Sequence, residues 1–215
     1  MFFEVFEIDD DSASILVNDM CVDINDLKAK IESPDVIQCS TKISEVINTL
    51  CGFIGKKSAE EFNNYCLSII CEIEGEPYFV LDSLRMVFYR FASGGLEELF
   101  VYQENEAWYP KIILTTVLHP NDIDSLDGDF LIYRGCDVSE YESGRFGQSW
   151  TTRKEVAEKF AFDNYDSQEW FDINNRIIVQ ARYEKCNTLY SNQTEYGEYE
   201  IVIKTQVLTD VKIST

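Results

Sequence analysis

The sequence predicts an α+β protein, with a mainly helical N-terminal region over residues 1–125 and a strand-rich region over residues 126–215. Three observations lead there. Apolar residues recur at helical spacing in the first half, and after an acidic break the period changes to that of short strands. The 215 residues are also 45% hydrophobic and 13% aromatic, ample for a sizeable core.

In the first half, Ile43, Val46, Ile47, Leu50, Cys51 and Ile54 form one helical stripe that Gly55 ends. Ser58-Ala59-Glu60-Glu61 has the form of a capping box, in which serine and glutamate each satisfy the other's free backbone N–H. Phe62, Tyr65, Cys66, Ile69 and Ile70 make the stripe of the helix it opens. A third apolar segment runs from Tyr78 to Phe91 and stops at Gly94-Gly95. These stripes read as core faces rather than ligand contacts.

No Pro- or Ser-rich linker divides the chain. The best boundary is the acidic segment 121–129, whose alternating Asp122, Asp124, Asp127 and Asp129 miss the calcium-loop pattern because neither the glycine nor the closing glutamate falls in register. It reads as a solvated turn before the first strand of the second half, with one core shared by both halves.

Phe130-Leu131-Ile132-Tyr133-Arg134-Gly135 then forms a short apolar strand ending in a charge, which needs a partner. A nearby Asp or Glu would serve, as would an anionic ligand, since the arginine fork binds phosphate bidentately. Gly135 lets a ligand approach the backbone. Next come Ser149-Trp150-Thr151 and a second capping box, Thr152 with Glu155, opening a helix that turns Val156, Ala157, Phe160 and Ala161 inward. Trp150 suits a core indole as well as a site wall. Residues 162–175 are polar and aromatic, with Tyr165, Trp170 and Phe171, and Ile177–Tyr183 resumes a strand. Glu198 and Glu200 follow with period two, on one face of a strand. Like charges that close raise at least one pKa or await a cation. An exposed acidic strand edge would look the same, but would explain neither Arg134 nor Ser149.

Arg134, then Ser149-Trp150-Thr151, then Glu198-Tyr199-Glu200 resembles in order the mono-ADP-ribosyltransferase family, over roughly residues 130–213. The resemblance implies a split β-sandwich around an NAD cleft, with NAD as donor substrate. It implies that Glu200 is the catalytic carboxylate at the nicotinamide ribose, that Glu198 favours arginine as acceptor, and that Ser149 braces Glu200. Arg134, Gly135, Ser149, Trp150 and Thr151 would line the NAD site. The 162–175 loop is either a cover for the nicotinamide or a surface loop. Enzymes of this family serve as toxins or phage factors, so the expected function is transfer of ADP-ribose to a macromolecule, a protein arginine first. The first 125 residues carry no motif for NAD chemistry.

Composition narrows the partners. A net charge of −21 argues against gripping nucleic acid by its phosphates and against a membrane surface, and suits a basic protein partner. Two further readings stand: an acidic decoy without turnover, which this charge suits, and ADP-ribosylation of nucleic acid, which it disfavours without a basic partner. Seven cysteines with no Cys-x-x-Cys read as buried free thiols, and a single histidine, His119, leaves no zinc set. The absence of an apolar run of about 18 residues and of a basic N-terminal region with a cleavage site leads us to expect a soluble, cytoplasmic protein without metal.

Overall fold

A computed structural model describes residues 7–70, 73–102, 110–168, 171–194 and 198–214. The chain divides into two compact units, Met1–Ile113 and Leu114–Thr215, the first helical and the second built on an antiparallel sheet. The boundary falls ahead of the acidic segment rather than within it, because that segment is bonded to the second unit. Asp122 N donates to Ser191 O (3.1 Å), the Asp122 carboxylate accepts from Gln193 N (2.7 Å), and Lys185 Nζ donates to the carbonyls of Asp124 (2.9 Å) and Leu126 (3.1 Å).

The first unit comprises α1 (Asp10–Ser14), which runs into a π turn, then α2 (Ile24–Ile31), α3 (Ser40–Phe53), α4 (Ala59–Ile70) and α5 (Glu76–Val101). The α3 stripe is buried at Ile43, Val46, Ile47, Leu50 and Cys51. The capping box forms at the start of α4, with Ser58 N donating to Glu61 Oε2 (2.7 Å) and Glu61 N to Ser58 Oγ (3.3 Å). Phe62 of α4 then stacks on Phe88 of α5. Gly94 and Gly95 interrupt α5 without ending it: the backbone leaves helical geometry there, Gly95 with φ +69, and the helix resumes to Val101. That positive φ is the reason for a glycine. The thiols of Cys51 and Cys66 are pushed up to about 12 by burial, which makes them inert. None of the six described cysteines is in a disulfide; Cys71 and Trp170 lie outside the described residues.

The second unit holds β1 (Asp129–Asp137), α6 (Val138–Ser143), β2 (Ser149–Thr151), α7 (Lys154–Phe162), β3 (Arg176–Glu184), β4 (Thr188–Asn192), β5 (Glu200–Ile203) and β6 (Lys212–Ile213). The strand order is β4-β5-β2-β1-β3-β6. β1 pairs with β3 along its whole length, whereas β1 and β2 meet at one register pair, Tyr133 opposite Thr151. The resemblance implies two sheets; the described strands instead form one, in two three-stranded halves that this pair keeps bonded.

One face of the sheet carries the core: Ile132, Cys136, Trp150, Val179, Ala181, Tyr183, Ile201 and Ile203. The other receives α7, whose Ala157 and Ala161 pack on Ile178, flanked by Tyr133 and Phe162. The second capping box does not form. The residue before α7 is Arg153, which makes no side-chain cap bond, and the Thr152 hydroxyl donates to Gln193 Oε1. Among the described residues no helix is long and apolar enough to cross a membrane.

Candidate active site

Glu200 opens β5, opposite Thr151 of β2 and Asn192 of β4. Strand alternation puts its side chain on the same face as Thr151 and Tyr133, the face that α7 covers. Its half-buried carboxyl is pushed up to about 7 by burial, with the Ser149 hydroxyl pulling it down by a hydrogen bond and the Glu198 charge pushing it up. Thus the structure brings Ser149, Glu198 and Glu200 together.

Period two predicts one strand face for Glu198 and Glu200, but the strand begins only at Glu200. Glu198 (φ +56) and Tyr199 (φ +50) are both left-handed, a conformation that costs roughly 1 kcal/mol or more per non-glycine residue. The end of β2 holds them there. Thr151 Oγ1 donates to Glu198 O (3.0 Å), Thr152 N donates to Tyr199 O (3.1 Å), and the Arg153 guanidinium lies 4.8 Å from the centre of the Tyr199 ring. Glu198 is therefore an exposed turn residue beside the strand. Its carboxyl still sits above the usual range, through partial loss of hydration that Lys159 of α7 opposes.

Arg134 is committed to the protein. Its Nε and Nη2 bond both carboxylate oxygens of Glu140 in α6, each at 3.0 Å, and Nη1 donates to the main-chain carbonyl of Ser149 (2.8 Å). Of the two partners foreseen for this charge, the structure supplies the carboxylate. Glu140 also accepts from Gly147 N (3.3 Å), and a Cβ at Gly147 would lie 2.7 Å from Arg134 Nη2. By alternation the Arg134 side chain leaves the sheet on the core face, opposite to Glu200. Arg134 thus fixes where Ser149 begins β2.

Three other residues expected at the NAD site have structural roles. Trp150 is only 3% exposed and packs in the core, with Nε1 donating to Gly147 O (3.0 Å) and its ring edge-on to Phe146. Thr151 is buried, holding Glu198 O and accepting from Arg153 N (3.1 Å). Gly135 is closely approached by α7: a Cβ there would fall 2.5 Å from Ala161 N and closer still to Ala157 O.

No family model matches the chain. No curated protein and no solved structure matches it either. A cavity of about 630 Å³ lies at the Asp129–Glu184 end of the sheet, lined by residues such as His119, Asp124, Lys185 and Cys186 and by none of the motif residues. Among the described residues no three His, Cys, Asp or Glu side chains are grouped to hold a metal ion.

Sequence reasoning missed Glu140 and Gln193, and gave Thr152 a capping role only. Glu140 had a signal, since an arginine in an apolar strand calls for a carboxylate and this one follows six residues later; β1 itself runs past Arg134 to Asp137. The Arg134 pairing makes a prediction. Arg134→Lys keeps the charge but cannot span Glu140 and the Ser149 carbonyl together. It should lower stability by about 1–2 kcal/mol in urea melts and weaken NAD binding in calorimetry. A lowered melt with unchanged NAD affinity would assign Arg134 to the scaffold alone.

Proposed function

We propose that the second unit is a mono-ADP-ribosyltransferase core that cleaves NAD and moves ADP-ribose to a macromolecular acceptor, an arginine side chain of a protein. The observation that carries this reading is Glu200: a half-buried carboxyl that ionises near neutral pH, beside the Ser149 hydroxyl, next to the one-pair junction of the two sheet halves.

The chemistry needs little more. When the bond from ribose C1′ to the nicotinamide nitrogen breaks, its electron pair stays with the nitrogen, so nicotinamide leaves neutral and no acid is required. Positive charge develops on the ribose. A carboxylate that strengthens its hydrogen bond to the ribose in that state lowers the barrier. The acceptor guanidine attacks C1′ and gives up a proton, for which Glu198, exposed beside Glu200, is placed as hydrogen-bond acceptor. Arg134 acts in this reading by setting Ser149, not by clamping the diphosphate.

The −21 charge suits a basic acceptor protein, as for a toxin or phage effector. It is also the observation that favours the decoy reading. NAD consumption by the purified chain separates the two: a folded protein that leaves NAD intact while binding a basic protein in a salt-dependent way is a decoy.

Two further results are expected if the enzyme reading holds. NAD cleavage should rise with pH to a half-maximum near pH 7, because only ionised Glu200 stabilises the ribose cation. Glu198→Gln should keep NAD hydrolysis and lose transfer to arginine, and should move that half-maximum to lower pH by removing a like charge. Equal loss of both activities would place Glu198 in the cleavage step or in the fold.

A further inference from the structure

Gln193 follows β4 and reaches the adjoining ends of β2, which carries Ser149, and β5, which opens at Glu200. Its side-chain amide is engaged at both ends. Nε2 donates to the main-chain carbonyl of Glu200 (3.0 Å), and Oε1 accepts from Thr152 Oγ1 (2.6 Å). Its own main-chain N donates to Asp122 Oδ2 (2.7 Å), so the residue is held at three points. Glu200 needs such support. It is the first residue of β5, and the pairings of β2 and β4 with β5 both end at it, with Thr151 and Asn192. The two residues before it are left-handed. A strand end frays unless something outside the ladder holds it.

We propose that Gln193 is a positioning residue for Glu200: its amide joins the Thr152 hydroxyl to the Glu200 carbonyl and so fixes the rotation about the backbone bond that aims the Glu200 side chain. This rests on the reading of Glu200 as the carboxylate that acts on NAD. Thr152 holds the side-chain amide and Asp122 the main-chain N–H of Gln193, which gives the acidic segment 121–129 a task beside Glu200. A functional side chain must be held to within about 0.5 Å by residues that are themselves locked, and a misplacement of about 1 Å can lower a rate about 10²-fold.

The test measures NAD cleavage and thermal melting of the full chain as wild type, Gln193→Leu, Thr152→Val and Thr152→Ser. Gln193→Leu should lower kcat about 10- to 100-fold with KM for NAD within about twofold of wild type. Thr152→Val should follow it, and Thr152→Ser, which keeps the hydroxyl, should restore the wild-type rate. Wild-type kcat in Gln193→Leu overturns the proposal. So does a Thr152→Ser protein as impaired as Thr152→Val, or a parallel loss of melting temperature and NAD affinity, since either marks a merely structural role. If Gln193→Leu does not fold, the two Thr152 variants decide.

If wild type leaves NAD intact, the reading of Glu200 as catalytic falls, but the positioning claim is still decided by carbon-detected NMR titration of the Glu200 carboxyl. Its midpoint should fall toward the ordinary carboxylate range in Gln193→Leu, as a loosened strand end lets the group reach water, and stay in place in Thr152→Ser. An unmoved midpoint in Gln193→Leu overturns it.

Discussion

Glu200→Gln is expected to abolish NAD cleavage and to make the protein more stable at the same time. The loss of turnover should be about 10²- to 10³-fold or greater, because the amide carries no charge to set against the developing ribose cation. The gain in stability follows from burial. The folded-state carboxyl ionises near 7 rather than at its ordinary 4.5, so the folded state holds a proton that the unfolded chain has released. Stability from this group is fully present below the unfolded value and is lost as pH rises through the folded one. Glutamine cannot ionise and escapes that loss, so the variant should exceed wild type by on the order of 2–3 kcal/mol at about pH 8 and match it near pH 4. Urea melts at the two pH values check this. A folded Glu200→Gln protein with undiminished turnover ends the catalytic reading; one that is no more stable at pH 8 shows that the carboxyl is not held at a desolvated site.

Gly135→Ala should be the most damaging single methyl group in the second unit. The added carbon would meet backbone, Ala157 O and Ala161 N and Cα, and none of these can swing aside as a side-chain tip does. α7 would have to lift from the sheet, breaking the packing of Ala157 and Ala161 on Ile178. Overpacking of this kind costs about 1–3 kcal/mol where neighbours can shift, and more where they are main chain. Loss of the cooperative transition of the sheet unit, or a midpoint lower by more than about 3 kcal/mol, is the expected result in denaturant melts. A stability equal to wild type would mean that α7 does not lie on β1 as described.

The helices of the first unit were legible because their signals are local: the stripe of α3 and the Ser58–Glu61 box each lie within a few turns of chain. The strands around Arg134, Ser149 and Glu200 were legible for the same reason. What escaped was competition for shared groups. Thr152 and Glu155 have the spacing of a capping box, yet Gln193, far along the chain, takes the Thr152 hydroxyl. Glu198 and Glu200 have the period of a strand, yet hydrogen bonds from Thr151 and Thr152 pull the carbonyls of Glu198 and Tyr199 out of extended geometry. Gly135 announced a close approach without saying of what. The arginine likewise announced a partner, and only the fold selected Glu140. A single sequence specifies which groups need partners more readily than which partners they obtain.

The single residue pair between β1 and β2 makes the sheet mechanically unequal along its width. Elsewhere neighbouring strands are laced at two or more positions; at Tyr133 and Thr151 the two halves share one. A rotation about that pair would displace the outer strands β4 and β6 the most. The Arg134 contact to the Ser149 carbonyl acts as a strut across that pair. Without that strut the two halves of the sheet would be joined at a single residue pair.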